Sequence, residues 1–64
     1  MGEHVKGQLA ALHRGQQITV IYNGRLEQQQ LRITGKVVLI DNFWNILQVN
    51  QIGIDFSEIQ KILI

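Results

Sequence analysis

After Gly15 the spacing of apolar residues changes from a helical period to a period of two, and this break constrains the fold more than any other feature. Before it, Val5, Leu9 and Leu12 stand at i, i+4 and i+7, a single narrow helical stripe. The stripe predicts one helix over Glu3–Arg14. Glu3 in its first turn and Arg14 in its last suit the helix dipole, and Gly15 can end it in a left-handed conformation. Gly7 inside it costs about 1 kcal/mol against alanine, so the helix needs a surface to lie on.

Beyond Gly15, Ile18, Val20 and Tyr22 alternate with Thr19, Ile21 and Asn23, and Asn23-Gly24 is a strong hairpin signal. Leu31, Ile33, Val37 and Leu39 are expected on one face of a second strand, with Gly35 where that face bends. Trp44–Val49 reads as a third strand. Ile52, Ile54 and Phe56 form a fourth, followed by a short Ser57-Glu58 turn. Ile59–Ile64 reads as a fifth, with Ile62 and Ile64 on one face and Lys61 and Leu63 on the other. No proline interrupts these segments. The expected architecture is mainly β, an N-terminal helix followed by a strongly bent five-stranded antiparallel sheet closing as a small barrel, because a bent sheet satisfies its edges better than a flat one. The helix stripe is expected over the open end.

At 64 residues the chain is read as one domain, 1–64. Chains this short bury only roughly 60% of their unfolded surface and usually need help. There is no cysteine, so disulfides and thiolate metal sites are excluded. His4 and His13 are nine positions apart, nearly opposite on a helix, so no metal site is expected. Oligomerisation remains as the added source of stability, and the apolar end Ile62-Leu63-Ile64 favours a homo-oligomer joined through the last two strands and the Leu39 region. No apolar run approaches the roughly 18 residues of a membrane helix. Met1–Gly15 is polar and lacks a signal-peptide core, so a cytoplasmic location is the expectation.

The net charge is +1, and Lys6, Arg14, Arg25, Arg32, Lys36 and Lys61 are scattered along the chain, which gives no electrostatic footprint for nucleic acid. Gln28-Gln29-Gln30 reads as a solvated hairpin tip. No catalytic constellation is visible. Ser57 has no histidine close in sequence, Asp55 and Glu58 flank a turn, and no glycine-rich phosphate loop exists. A non-enzymatic protein without a cofactor is expected.

The candidate site is the stretch Asp41-Asn42-Phe43-Trp44-Asn45 between two apolar runs. It reads either as a recognition loop showing two aromatics or as a hairpin whose rings fold back onto the core. Asp41 suits an Asx-turn. Asn45 suits either a turn cap or a contact residue. Phe43 reads as core. Trp44 suits stacking on a base, worth roughly 1–3 kcal/mol, or packing in a protein contact.

Gly35, Asp41 and Asn45 stand at the Gly-x5-Asp-x3-Asn spacing of the first Sm motif, and the helix-then-five-strands order resembles the Sm and Lsm fold. The chain also resembles the YolD-like family of small bacterial proteins, through Ile18–Tyr22, Gly24, Thr34–Val37, Ile40-Asp41 and Ile54–Ile62. These pieces cover nearly the whole chain. The Sm resemblance implies that Asn45 contacts a base, that Trp44 stacks on it, and that Asp41 orders the loop. Two departures are plain. Gly24 and Gly35 lie eleven apart rather than close together, and Gln51-Ile52-Gly53 occupies the place of the second Sm motif without its arginine. The first reading is a non-catalytic protein-interaction module that self-associates through strand edges, and the YolD-like resemblance implies an accessory role beside DNA repair or mobile-element functions. The alternative is an oligomeric ring binding single-stranded RNA or DNA.

Overall fold

In the computed structural model, which describes residues 3–26 and 28–64, the change of period at Gly15 separates one helix from five strands. Met1, Gly2 and Glu27 lie outside the described residues. The elements are α1 (Glu3–Ala11), β1 (Gln17–Asn23), β2 (Gln30–Asp41), β3 (Ile46–Val49), β4 (Ile52–Asp55), a 3₁₀ turn (Phe56–Glu58) and β5 (Ile59–Leu63). The sheet is antiparallel in the order β4-β3-β2-β1-β5. It does not close into a barrel, because β4 and β5 are its two edges.

The long strand β2 makes the bend. Residues Gln30–Lys36 pair with β1, and Val37–Asp41 pair with β3, so β2 belongs to two half-sheets. Between Val37 and Leu39 the register slips, and Val38 is the extra residue of a β-bulge. The bulge corrects the expected face. Val37 is buried and Ile40 packs against the core, whereas Leu39 turns outward at 42% exposure. An uninterrupted period of two cannot anticipate a phase change of this kind.

The core gathers Val5, Leu9 and Leu12 with Ile18, Val20, Val37, Leu47, Val49, Ile54, Phe56, Ile59 and Ile62. The helical stripe therefore packs as expected, and α1 lies along β5, where Gln8 Nε2 donates to the Ile62 carbonyl at 2.9 Å. The helix is shorter than expected, however. It stops at Ala11, and Leu12 reaches the core from the segment that follows. Gly15 does adopt a left-handed φ of 88°, but in a turn closed by Gln16 N–H donating to His13 C=O at 3.1 Å. Its own N–H donates to Val37 C=O at 2.7 Å, and Val37 N–H donates to Gln16 C=O at 2.9 Å. The bend of β2 thus captures the chain before a last helical turn forms. His13 and Arg14 lie outside the helix, so the expected angular relation of His4 to His13 does not apply. Among the described residues no three His, Asp or Glu side chains gather as metal ligands.

The first hairpin is also longer than a two-residue turn. Asn23 pairs with Gln30, Gly24 N–H donates to Gln29 C=O at 3.0 Å, and Gln28 takes the positive φ of 52°. Asn23-Gly24 marks the end of β1 without being the turn. Gln28 and Gln29 are solvated, as expected of a tip. At the far end, Phe56 leaves the strand for the 3₁₀ turn, and Ile64 is 72% exposed rather than sharing the buried side of Ile62. The radius of gyration of 10.5 Å is that of a packed globule of this length, about 10.7 Å, although the sheet stays open.

Candidate functional site

Asp41 is the last residue of β2 and pairs with Ile46, the first of β3. Four residues, Asn42-Phe43-Trp44-Asn45, bridge them. The Asp41 carboxylate organises this bridge, because Oδ1 accepts both Phe43 N–H and Trp44 N–H at 2.9 Å. This is the Asx-turn expected of the position, and it satisfies two backbone donors that a short loop otherwise leaves to water. Asn45 closes the bridge through its backbone. It adopts φ 58°, a left-handed conformation that asparagine tolerates better than most residues, and its carbonyl accepts Phe56 N–H at 2.8 Å. The loop is thereby tied to the 3₁₀ turn behind it. Trp44 and Asn45 lie in this loop and not in a third strand beginning at Trp44, because the left-handed Asn45 ends the turn one residue before the ladder starts.

Held this way, the rings point away from the core. Phe43 is 81% exposed and Trp44 68% exposed, so the expectation that Phe43 is a core residue is overturned. The two rings pack edge to face, with centroids 5.0 Å apart at 83°, the arrangement favoured by their quadrupoles. Asn42 and Asn45 are exposed beside them. The five predicted residues thus form one tip with an anchored base and an aromatic crown.

The region expected to match the second Sm motif is placed differently. The β3–β4 turn is Asn50-Gln51, and Ile52 and Gly53 belong to β4. Asn50 is the residue that sequence reasoning missed. It has φ 53°, its N–H donates to Lys36 C=O at 3.0 Å, and its Oδ1 accepts Lys36 N–H at 3.1 Å. Its carboxamide lies over Gly35 so closely that a Cβ there would overlap it. Gly35 is therefore needed for an interlock between β2 and the β3–β4 turn. The asparagine between Val49 and Ile52 was the available signal.

A second feature was invisible because its members are 30 and 33 positions apart. Arg25, in the β1–β2 loop, pairs with Glu58 through Nε and with Asp55 through Nη2 at 3.3 Å. Asp55 Oδ1 also accepts the Ser57 hydroxyl at 2.7 Å and Ser57 N–H at 2.9 Å, which caps the 3₁₀ turn. Those Ser57 bonds, helped by Arg25, hold the Asp55 carboxyl below its ordinary value, and Glu58 holds the Arg25 guanidinium above its own. Beside this cluster Tyr22, Leu31, Ile46 and Ile54 line an open groove of about 470 Å³.

The cations are less scattered than the sequence suggests. Ile21 pairs with Arg32 on one side and Lys61 on the other, and Lys36 is an exposed residue farther along β2. No family model, curated protein sequence or solved structure matches the chain.

Proposed function

We propose that the chain is a non-catalytic Sm-like, YolD-like module that self-associates through its strand edges and offers the Asp41–Asn45 tip to a protein partner. The observation that carries this reading is the open sheet. The edge strand β4 offers unpaired backbone groups with Ile52 exposed on it, and Leu63 and Ile64 are exposed at the end of β5, beyond the Ile62 carbonyl that Gln8 already engages. Edges of this kind pair with other strands unless they are blunted; neither strand carries a proline, and the one irregularity in them is the register shift of β5 against β1 at Gln60. Val38 and Leu39, turned outward by the bulge, add apolar surface that assembly would cover. The order of one helix and five strands is the order the resemblance implies. An accessory role beside DNA repair or mobile-element functions follows from the resemblance alone.

Light scattering tests the assembly. A mass several times the 7.3 kDa of one chain at tens of micromolar is expected, and Ile52→Lys with Leu63→Lys should lower it. A monomer under those conditions would falsify the reading.

A second reading, a ring binding single-stranded RNA or DNA through the same tip, is favoured by one observation: both rings stand in solvent on a braced loop. The Asn50-Gln51 turn contributes no arginine to it. Emission from the lone Trp44 on adding oligonucleotide separates the two readings, since stacking on a base changes it and a protein-only tip leaves it unchanged.

A further inference from the structure

The register of β5, β1 and β2 turns a dispersed set of cations into a surface. Counting from the pairs, the outward side of this half-sheet carries Lys61–Ile21–Arg32 in one row, Leu63–Thr19–Thr34 in the next, and Gln17–Lys36 beyond. The exposure pattern agrees, since Arg32, Thr34 and Lys36 are exposed and alternate with the less exposed Leu31, Ile33 and Gly35. Thr19 and Thr34 share a hydrogen bond of 2.8 Å across the middle of the face. None of the five acidic residues belongs to these rows, and among the described residues no carboxylate lies within ion-pair distance of Arg32, Lys36 or Lys61. At one end, Arg14 Nε donates to the Val38 carbonyl at 3.1 Å, which fixes a further guanidinium at the bulge two residues past Lys36.

We propose that this face binds the sugar-phosphate backbone of a single-stranded nucleic acid. Arg32 and Lys61 are separated by two inter-strand spacings, roughly 9.5 Å, and Lys36 lies four residues from Arg32, roughly 13 Å along the strand. Charges spread at such intervals suit an anion that repeats along a polymer better than a single compact ligand. The Gln17 carboxamide and the one hydroxyl proton left free by the Thr19–Thr34 bond fill the gaps with further donors for phosphate and sugar oxygens. The face lies opposite the core, and a shallow depression lined by Gln17, Thr19, Thr34, Leu63 and Ile64 crosses its middle. A flexible single strand can follow such a surface from cation to cation, whereas a duplex is stiff over about 150 base pairs and cannot bend into it. An anionic membrane is the poorer fit, because lipid anchoring needs a broad exposed apolar surface among the cations, and here Leu63 and Ile64 are exposed only at the end of β5 while Ile21 is partly buried. No aromatic residue stands in the rows, so contact there is to phosphate and sugar and carries no sequence preference. The site requires neither assembly nor the Phe43–Trp44 tip.

Fluorescence anisotropy of labelled oligothymidylate, titrated at salt concentrations from about 50 to 200 mM, tests this. Three phosphate contacts give a log–log salt slope of about −2, a roughly 20-fold loss of affinity over that range. The variant combining Arg32→Gln, Lys36→Gln and Lys61→Gln should lose roughly tenfold or more with an unchanged circular dichroism spectrum. Phe43→Ala with Trp44→Ala should keep the affinity and the slope. Should the triple variant fail to fold, Lys36→Gln alone should flatten the slope by about 0.7. Absence of binding, a flat salt dependence, or an unaffected triple variant overturns the proposal. So does loss of binding confined to the aromatic variant, which would return recognition to the tip. Co-sedimentation with phosphatidylserine vesicles in the absence of oligonucleotide binding overturns it in favour of a lipid surface.

Discussion

Two side chains act here through the backbone they organise. Asn50 spans from the β3–β4 turn to Lys36 and lies over Gly35, which makes that glycine a steric requirement. Gly35→Ala should cost about 1–3 kcal/mol in thermal or denaturant unfolding, the usual range for forcing a methyl group into a packed site. Adding Asn50→Ala should recover part of the loss, because a double-mutant cycle isolates the contact. If Gly35→Ala leaves stability unchanged, the interlock is not real. Asp55 supports the 3₁₀ turn in another way, by accepting from Ser57 as a carboxylate. Its native pKa is lowered, so its contribution is fully present above the unfolded value, near 4, and disappears as pH falls through the lower native one. Melting temperature should therefore fall below about pH 4 more in the parent chain than in Asp55→Asn. Parallel acid profiles for the two would contradict the assignment.

Elements show how far the sequence can be read. One helix and five strands were legible from apolar spacing alone, since burial on one face imposes that spacing. What escaped depends on contacts between distant residues. The helix ends at Ala11 because Gly15 and Gln16 bond to Val37, a partner more than twenty residues away. Leu39 faces out because Val38 is unpaired against β3, and nothing local to Val37-Val38-Leu39 marks which residue is extra. The Asx-turn of Asp41 was legible, but the loop runs to Asn45, so the third strand begins two residues past its expected start at Trp44. The exposure of Phe43 was not legible, because composition alone does not say whether a ring at a hairpin end turns inward. The helix is the element most open to test. Leu9 is buried at 6% exposure, and Leu9→Ala should cost about 2–5 kcal/mol, enough to unfold a domain of ordinary marginal stability. A melting temperature equal to the parent's would mean that the helix does not depend on the core.

For the whole molecule, the central position of β2 has a kinetic consequence. The pairs β1–β2, β2–β3 and β3–β4 each join neighbours in sequence through short loops, so a meander of four strands can zip up by successive local closures. The pair β1–β5 is different, since Thr19 meets Leu63 and Val20 meets Ile62 across more than forty intervening residues. Closure of so long a loop carries an entropy cost that grows as about (3/2)RT ln n, to be offset only when both partners are already ordered. The helix lies along β5, so it gains its main support at the same moment. We expect α1 and β5 to form one cooperative unit that docks late and opens early. Native-state hydrogen exchange should show amides of Gly7–Ala11 and Ile59–Leu63 exchanging with a common opening free energy, below that of Leu47 and Val49. Uniform protection across all five strands would refute this order. The strand that completes the fold is then also the first to leave it, and each such opening bares the second edge of β1 to whatever extended chain is nearby.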